Sequence, residues 1–490
     1  MNQPKQQQKA KTAITPTRDD DFPEWYQQVI KAADMAENSP VRGCMIIKPY
    51  GYAVWENMQR IFDDMIKELG VQNAYFPLLI PLEFISREAQ HVEGFAKECA
   101  VVTHHRLEMG PEGKLIPAPA AKLEEPFVIR PTSETIIGDA MARWVQSYRD
   151  LPLKLNQWCN VMRWEMRTRM FLRTSEFLWQ EGHNAFEDAA GAREDALKML
   201  EAYREFVEDH LAIPVITGEK TPEERFPGAD ATYTIEAMMQ DGKALQAGTS
   251  HDLGQNFAKS IGIKFQGRSG AEEFAYTTSW GISTRLIGAM IMTHADDDGM
   301  IMPPRVAPFH VSIIPIVRED ADTDKIMGYA KDLAKKLKAI GIRSQLDDSD
   351  KRTPDKMWGA IKKGVPVRVE IGGREVDEGT LTYVRRDLGK DSKATVKVAE
   401  FVENLPGVLE DMQKALFAKA KASYDSRIKD VTSLADIEAF FKSGAVGLVR
   451  IDASAMNGAD FERIKKDYSL TTRCLPFADK GTKAIIGKAY

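Results

Sequence analysis

The chain has 490 residues, 43% of them hydrophobic and 28% charged, and a formal net charge of −6 at neutral pH. That length exceeds one ordinary core and predicts two to four domains, while the mild acidity excludes indiscriminate coating of nucleic acid but permits a local basic surface. No apolar run is long enough to cross a bilayer, and Cys44, Cys99, Cys159 and Cys474 are too widely spaced for a disulfide framework or a Cys-x-x-Cys metal site.

Residues 1–21 are polar and aperiodic and read as a mobile tail. They hold Lys5, Lys9 and Lys11 but no apolar signal core, so the cytoplasm is the expected location and no membrane role is expected. From Trp55 to Leu69 the residues Trp55, Met58, Ile61, Phe62, Met65, Ile66 and Leu69 follow helical spacing, and Gly70 is a suitable stop. A strand is expected over Ala74 to Ile80. Pro77 within it lacks a ladder donor, which places that strand at a sheet edge or a subunit boundary and points to dimerisation.

The most informative stretch runs from Asn160 to Arg169. On a strand alternate side chains share a face, so Arg163, Glu165, Arg167 and Arg169 would project one way and Met162, Trp164 and Met166 the other. After a turn, Arg173, Ser175, Phe177, Trp179, Glu181 and His183 repeat the alternation, which predicts a second, antiparallel strand. Planar guanidinium forks meet phosphate oxygens, an aromatic ring or a guanidinium covers a flat base, and a carboxylate accepts from an amino group on that base. Such a hairpin could hold ATP; the first ten residues alone also fit cross-strand ion pairs on a solvated sheet face.

Residues 183–212 read as a helix-rich connector through Ala196, Met199, Leu200, Tyr203, Phe206 and Val207. Gly281 to His294 reads as a helix with a small-residue start, and Pro303-Pro304 closes the first large domain. Beyond Phe309 the order is strand (Val311 to Val317), helix (Thr323 to Ile340), strand near Arg343, helix near Lys356, and strands around Val367 and Leu381, a compact α/β domain. A helix over Phe401 to Ala422 leads to a last module with strands at Val446 to Ile451 and Ala484 to Gly487.

Pro77 after its amphipathic helix, Arg163-x-Glu165 with Arg173-x-x-x-Phe177, and the glycine-led segment carrying Arg285 resemble the three signatures of class II aminoacyl-tRNA synthetases. The blocks Arg42-Gly43-Cys44, Lys48-Pro49-Tyr50-Gly51-Tyr52, Arg130-Pro131-Thr132-Ser133-Glu134, Trp179-Gln180-Glu181-Gly182-His183 and Lys488-Ala489-Tyr490 narrow the likeness to prolyl-tRNA synthetases of the archaeal/eukaryotic-like type. The resemblance spans nearly the whole chain. It implies an α/β fold class: an α+β catalytic domain over 22–304 with an antiparallel sheet and flanking helices, an α/β anticodon-binding domain over 305–405, and a small C-terminal α/β module over 406–490. That module would be zinc-ribbon-like but without the metal-ligand cysteines, so no zinc is expected. The substrates implied are ATP with Mg2+, L-proline and tRNA(Pro), handled by a homodimer with no role for DNA.

The same resemblance distributes roles. Arg163, Arg173 and Arg285 would stabilise charge during activation; Glu165 would receive the adenine amino group, Phe177 and Arg285 the two adenine faces, and Gln246 and Thr249 would complete the ATP site. Thr132 and Glu134 would take the imino group of proline, although Thr132-x-x-Thr135 before an apolar helix also fits a plain cap. Arg163 would face the proline carboxylate, Trp179, Glu181 and His183 would wall the pocket, and Ser250 and His251 would belong to a closing loop. Arg368, Arg374 and Glu375 would read the guanines of a proline anticodon, although that stretch also fits a solvated hairpin. The connection from His183 to Gly281 is too short for an inserted editing domain. A synthetase for threonine or serine, and a synthetase-like RNA-binding protein without activity, stand as the rival readings.

Overall fold

The computed structural model describes residues 12–89, 98–318 and 321–490. Of the expected mobile tail, residues 1–11 lie outside the described residues, whereas 12–21 pack against the body. Ile14 is buried and its N–H reaches the Asp297 carbonyl at 2.8 Å, and Arg18 donates to Gln240 at 2.7 Å. One apolar side chain in a polar run supplies the anchor that composition alone conceals.

Helix α1 (Phe22–Ala32) begins where the Asp21 side chain accepts from the Glu24 N–H, and its apolar stripe of Trp25, Tyr26, Val29 and Ile30 is buried. Helix α2 (Pro49–Glu68) starts earlier than the apolar spacing indicated, because Pro49 suits the first helical turn. The strand expected over Ala74 to Ile80 is not continuous. Instead β1 (Gln72–Asn73) pairs in parallel with β2 (Leu153–Met162), and Leu79–Pro81 pairs with Lys122–Ile129 in a separate small sheet; Pro77 lies between the two.

The remaining elements of the first large domain are α3 (Glu134–Trp144), β3 (Glu176–Phe186), α4 (Ala189–Glu205), β4 (Ile216–Glu219), β5 (Ala231–Met238), β6 (Ala244–Asp252), β7 (Tyr276–Ser283) and α5 (Arg285–His294). Gly281 therefore belongs to a strand and the helix begins only at Arg285, a correction to the reading of Gly281 to His294. The aromatic and Thr-rich run from Tyr276 to Trp280 favours a pleated, half-buried surface. Helices α1, α2, α4 and α5 cover one face of the sheet with Trp25, Phe62, Tyr203 and Ile287, joined by Phe206 just beyond α4, in a single buried cluster. The Tyr203 hydroxyl is satisfied there by Gln180 at 2.7 Å. Burying one face leaves the other for chemistry.

The next domain alternates β8 (Val311–Pro315), α6 (Thr323–Ala339), β9 (Ser344–Leu346), α7 (Thr353–Lys363), β10 (Val367–Ile371), α8 (Gly373–Glu378), β11 (Thr380–Arg385) and β12 (Ala394–Lys397). Strand β8 pairs in parallel with β9 and β10, and β10, β11 and β12 continue antiparallel. The stretch from Arg368 to Glu375 is a strand followed by a helix rather than a hairpin. Helix α9 (Val398–Ser426) then runs straight through the division expected between 405 and 406.

The last strands are β13 (Ile428–Asp430), β14 (Leu448–Asp452), β15 (Thr471–Pro476) and β16 (Lys483–Gly487). They extend the sheet of the first domain to eleven strands in the order β13-β14-β16-β15-β4-β5-β6-β7-β3-β2-β1. The join is β4 against β15, where Gly218 faces Pro476; a Cβ at Gly218 would sit 2.5 Å from the Leu475 carbonyl. The chain ends against the same sheet, with the Tyr490 N–H on Ala244 at 3.0 Å and its hydroxyl on Asp241 at 2.6 Å.

Candidate active site

The β2–β3 hairpin exists, but its strands stop short of the expected ones: β2 ends at Met162 and β3 begins at Glu176. Arg163, Glu165, Arg167, Arg169 and Arg173 therefore sit on the connecting loop and not on alternating strand positions. The loop satisfies its backbone locally. Ser175 Oγ accepts from the Glu165 N–H at 3.2 Å, the Glu165 carboxylate accepts from the Arg167 N–H at 2.7 Å, and Arg169 and Arg173 exchange backbone bonds at 2.6 and 2.8 Å. Along β3 the alternation holds, and Trp179, Glu181 and His183 share one face with Phe177.

That face carries two adjoining cavities. The first, about 440 Å³, is lined by Arg163, Glu165, Arg173, Phe177, Gln246, Thr249 and Arg285, all of the residues assigned to ATP. The second, about 290 Å³, is lined by Thr132, Glu134, Arg163, Trp179, Glu181, His183 and His251. Arg163, Trp179, Gln246, Thr249 and Gly281 line both.

Arg163 donates through Nε to the Pro131 carbonyl at 2.8 Å, and its guanidinium carbon lies 5.6 Å from the Phe177 ring centre and 5.2 Å from that of Trp179. Burial lowers its pKa, opposed by Glu134 and Glu181; an arginine stays charged all the same. Arg285, held by the Leu172 carbonyl at 3.2 Å, is pushed down to about 10 by burial and then by Arg173 and Arg163. Three guanidiniums crowded on one cavity repel one another, so an anion bound there relieves the strain that their proximity creates.

In the second cavity Thr132 donates to Glu134. Glu181 accepts from the Ser133 backbone at 3.2 Å, from the Ser133 hydroxyl, from Gln157 at 3.1 Å and from His183 Nε2 at 3.1 Å. Burial would raise the Glu181 pKa, but the His183 bond and charge and the other donors hold it below the usual carboxylate range. For His183, burial opposes the charged ring, and the Glu181 bond with the charges of Glu134 and Glu181 overcomes it and raises the pKa. The His183 contribution to stability is thus present below the ordinary histidine range and is lost as pH rises through the raised folded value; that of Glu181 is present above the ordinary carboxylate range and is lost as pH falls through the depressed one. Replacing Glu181 by glutamine is expected to move the His183 titration to lower pH in a histidine-resolved NMR titration. An unmoved or raised value would refute the pairing.

His251 shares its Nδ1 with Thr232 Oγ1 at 3.0 Å and lies 4.5 Å from the Phe226 ring; burial, then His183, pushes it down to about 3, so it is neutral. Ser250 is the exception among the expected residues. Its neighbours Thr249 and His251 face the cavity, so period two turns Ser250 to the opposite face, where its hydroxyl donates to the Ala196 carbonyl at 2.7 Å. Ser250→Ala is expected to cost about 1 kcal/mol of stability and to leave the KM for proline unchanged, as steady-state kinetics would show.

Ser133, Gln157, Arg225, Phe226, Thr232 and Ser279 escaped the sequence reading. Ser279 was detectable, since Ser279-x-Gly281-x-Ser283 alternates on β7; its buried hydroxyl has no hydrogen-bond partner among the described residues. Far from the cavities, Arg368 is held by Glu370 at 3.1 Å, and Glu375 accepts from the Gly372 N–H at 3.0 Å. Arg374 is the exposed member of that trio, its side chain 70% accessible.

The family profile described as tRNA synthetase class II core domain (G, H, P, S and T) matches residues 119–294, and the one described as anticodon binding domain matches 310–407. A proline–tRNA ligase of Bdellovibrio bacteriovorus is 58% identical over 475 residues, covering 95% of this chain and 94% of the relative. Those of Rhodopirellula baltica and Paramagnetospirillum magneticum are 52% and 54% identical, with at least 97% of each chain covered. These relatives are bacterial; the archaeal/eukaryotic-like type rests on the sequence blocks alone.

Proposed function

Because this chain belongs to the class II aminoacyl-tRNA synthetases, in the proline–tRNA ligase family, we propose that it attaches L-proline to tRNA(Pro) with ATP through a prolyl-adenylate. The observation that carries the residue assignments is the meeting of two cavities at Arg163. The proline carboxylate attacks the α-phosphorus of ATP and pyrophosphate leaves; a terminal ribose hydroxyl of tRNA then attacks the prolyl carbonyl and AMP leaves. No protein nucleophile is required, so the protein contributes orientation and charge stabilisation. Arg163 bridges carboxylate and α-phosphate, Arg173 takes the outer phosphates, and Phe177 and Arg285 enclose adenine with Glu165 on its amino group. Thr132 and Glu134 receive the imino group, beside Trp179, Glu181, His183 and His251.

Glu98, the carboxylate of the first cavity that adenine does not engage, is a hard oxygen donor of the kind that binds Mg2+, and Mg2+ would shield the triphosphate there. Zinc does not fit the C-terminal module. Its one cysteine, Cys474, is buried among Met238, Tyr424, Leu448 and Ile485 with a thiol pKa raised mainly by burial, and one thiol cannot fill a structural tetrahedron. Arg374 reaches Glu375 at 3.4 Å but keeps its side chain exposed, which supports it as the anticodon contact over the more buried Arg368 and Glu375. A tRNA substrate supports a cytoplasmic location, and no helix among the described residues is long and apolar enough to cross a membrane.

Dimerisation is supported by apolar side chains left exposed around the interrupted strand: Tyr75 at 77%, with Leu79, Leu82 and Trp144. Sedimentation should give twice the 54.9 kDa chain mass, and Tyr75→Glu should shift it towards the monomer. The activity itself is tested by a panel of amino acids in pyrophosphate exchange with ATP. Proline should stimulate exchange strongly; stimulation by threonine or serine instead, or by none, would overturn the assignment.

A further inference from the structure

A buried ionic triad outside the cavities joins the last module to the nucleotide wall. Glu236 on β5 is paired in register with Gln246, which lines both cavities. Its Oε1 accepts from Lys220 Nζ at 2.7 Å and from Thr234 Oγ1 at 2.9 Å, and its Oε2 takes Arg473 of β15 through Nε at 3.0 Å and Nη2 at 2.9 Å. All three charged residues are at least nine-tenths buried. Two cations on one carboxylate leave one net positive charge, more than pairing requires. Arg285 feels the Glu236 charge and, opposing it, that of Arg473, and it lines the same cavity as Gln246, the register partner of Glu236; among the described residues it makes no ion pair, its Nε being on the Leu172 carbonyl.

We propose that Lys220 and Arg473 are positioning residues for the nucleotide site: by occupying both oxygens of Glu236 they keep this buried carboxylate from turning to Arg285, whose guanidinium stays free for ATP. The role rests on the ATP reading of the first cavity. It also gives the C-terminal strand β15 a part in the activation step, exerted through Glu236, since Arg473 is the one member of the triad that this strand supplies.

The full-length chain is tested by proline-dependent pyrophosphate exchange with ATP and proline varied separately. Arg473→Met should raise the KM for ATP about tenfold and leave that for proline unchanged, and adding Glu236→Gln should restore it, because the stray carboxylate is then gone. Lys220→Met strips the other oxygen without touching β15 and should act in the same direction, which keeps the test decisive if Arg473→Met fails to fold. A KM for ATP unchanged in these single variants, a parallel rise for proline, or no recovery with Glu236→Gln would overturn the role, each marking the triad as a structural tie only. Absence of exchange in the unsubstituted protein would instead overturn the activity.

Discussion

Arg163→Ala is expected to lower proline-dependent pyrophosphate exchange by on the order of a hundredfold or more, the scale of losing one preorganised donor to developing charge. The expectation follows from position: Arg163 lines both cavities, so it alone among the three cationic residues can hold the attacking carboxylate and the α-phosphate together. Its Nε is committed to the Pro131 carbonyl, and the rings of Phe177 and Trp179 flank the guanidinium, which fixes the fork before substrate arrives. Arg163→Lys keeps the charge but loses the planar fork, so it should recover only part of the rate. If alanine at 163 left the exchange rate near that of the unsubstituted enzyme, the junction of the cavities would not be where activation occurs.

Arg173→Ala and Arg285→Ala contact only the first cavity, and their losses should fall on ATP rather than on proline. This separation of substrates follows from the sheet. Period two on β3 and β6 sends Trp179, Glu181, His183, Thr249 and His251 to one face, while the Ser250 hydroxyl, on Ala196, and the Trp280 ring, against Tyr203, turn to the face covered by helices.

Chemistry was more legible in the sequence than geometry. The residue types from Arg163 to His183 suggested a site for an anion and a flat base, and the seven residues expected to hold ATP line one cavity. The backbone carrying them was misread, because alternation of Arg and Glu from Arg163 to Arg169 imitates a strand, whereas Ser175 and the Glu165 carboxylate satisfy the N–H groups in a loop. Gly281 was misread for the opposite reason: small residues before Arg285 look like a helix start, and only pairing with Glu181 across the sheet makes them a strand. The connection between His183 and Gly281, judged too short for an added domain, supplies α4 and strands β4 to β6 of the catalytic sheet itself. Fusion of the last module to that sheet had no local signal. It depends on β4 meeting β15 and on Arg473 reaching Glu236, contacts between residues more than two hundred positions apart.

Gly182→Ala is the second large effect, and it acts from behind the site. Gly182 lies opposite Trp280 in the β3–β7 register, and a Cβ placed there would come within 1.9, 2.1 and 2.4 Å of three atoms of the indole. No ordinary contact is that short, so ring or strand must move. The ring has little room, being 2% exposed and backed by Tyr203 at 6.2 Å between ring centres. Overpacking a filled core typically costs 1–3 kcal/mol and occasionally more; a rigid ring between a central strand and a packed tyrosine puts this case at about 3 kcal/mol or above. Because Glu181 and His183 flank the substitution and face the second cavity, displacement of β3 should also raise the KM for proline more than that for ATP. Denaturant midpoints and separately varied substrates would measure both effects, and a variant with an unchanged midpoint and an unchanged KM for proline would contradict the packing argument. Trp280→Leu in the same chain removes the obstacle, so Gly182→Ala should be less damaging in that background than alone, a non-additivity expected only if the two positions are in direct contact.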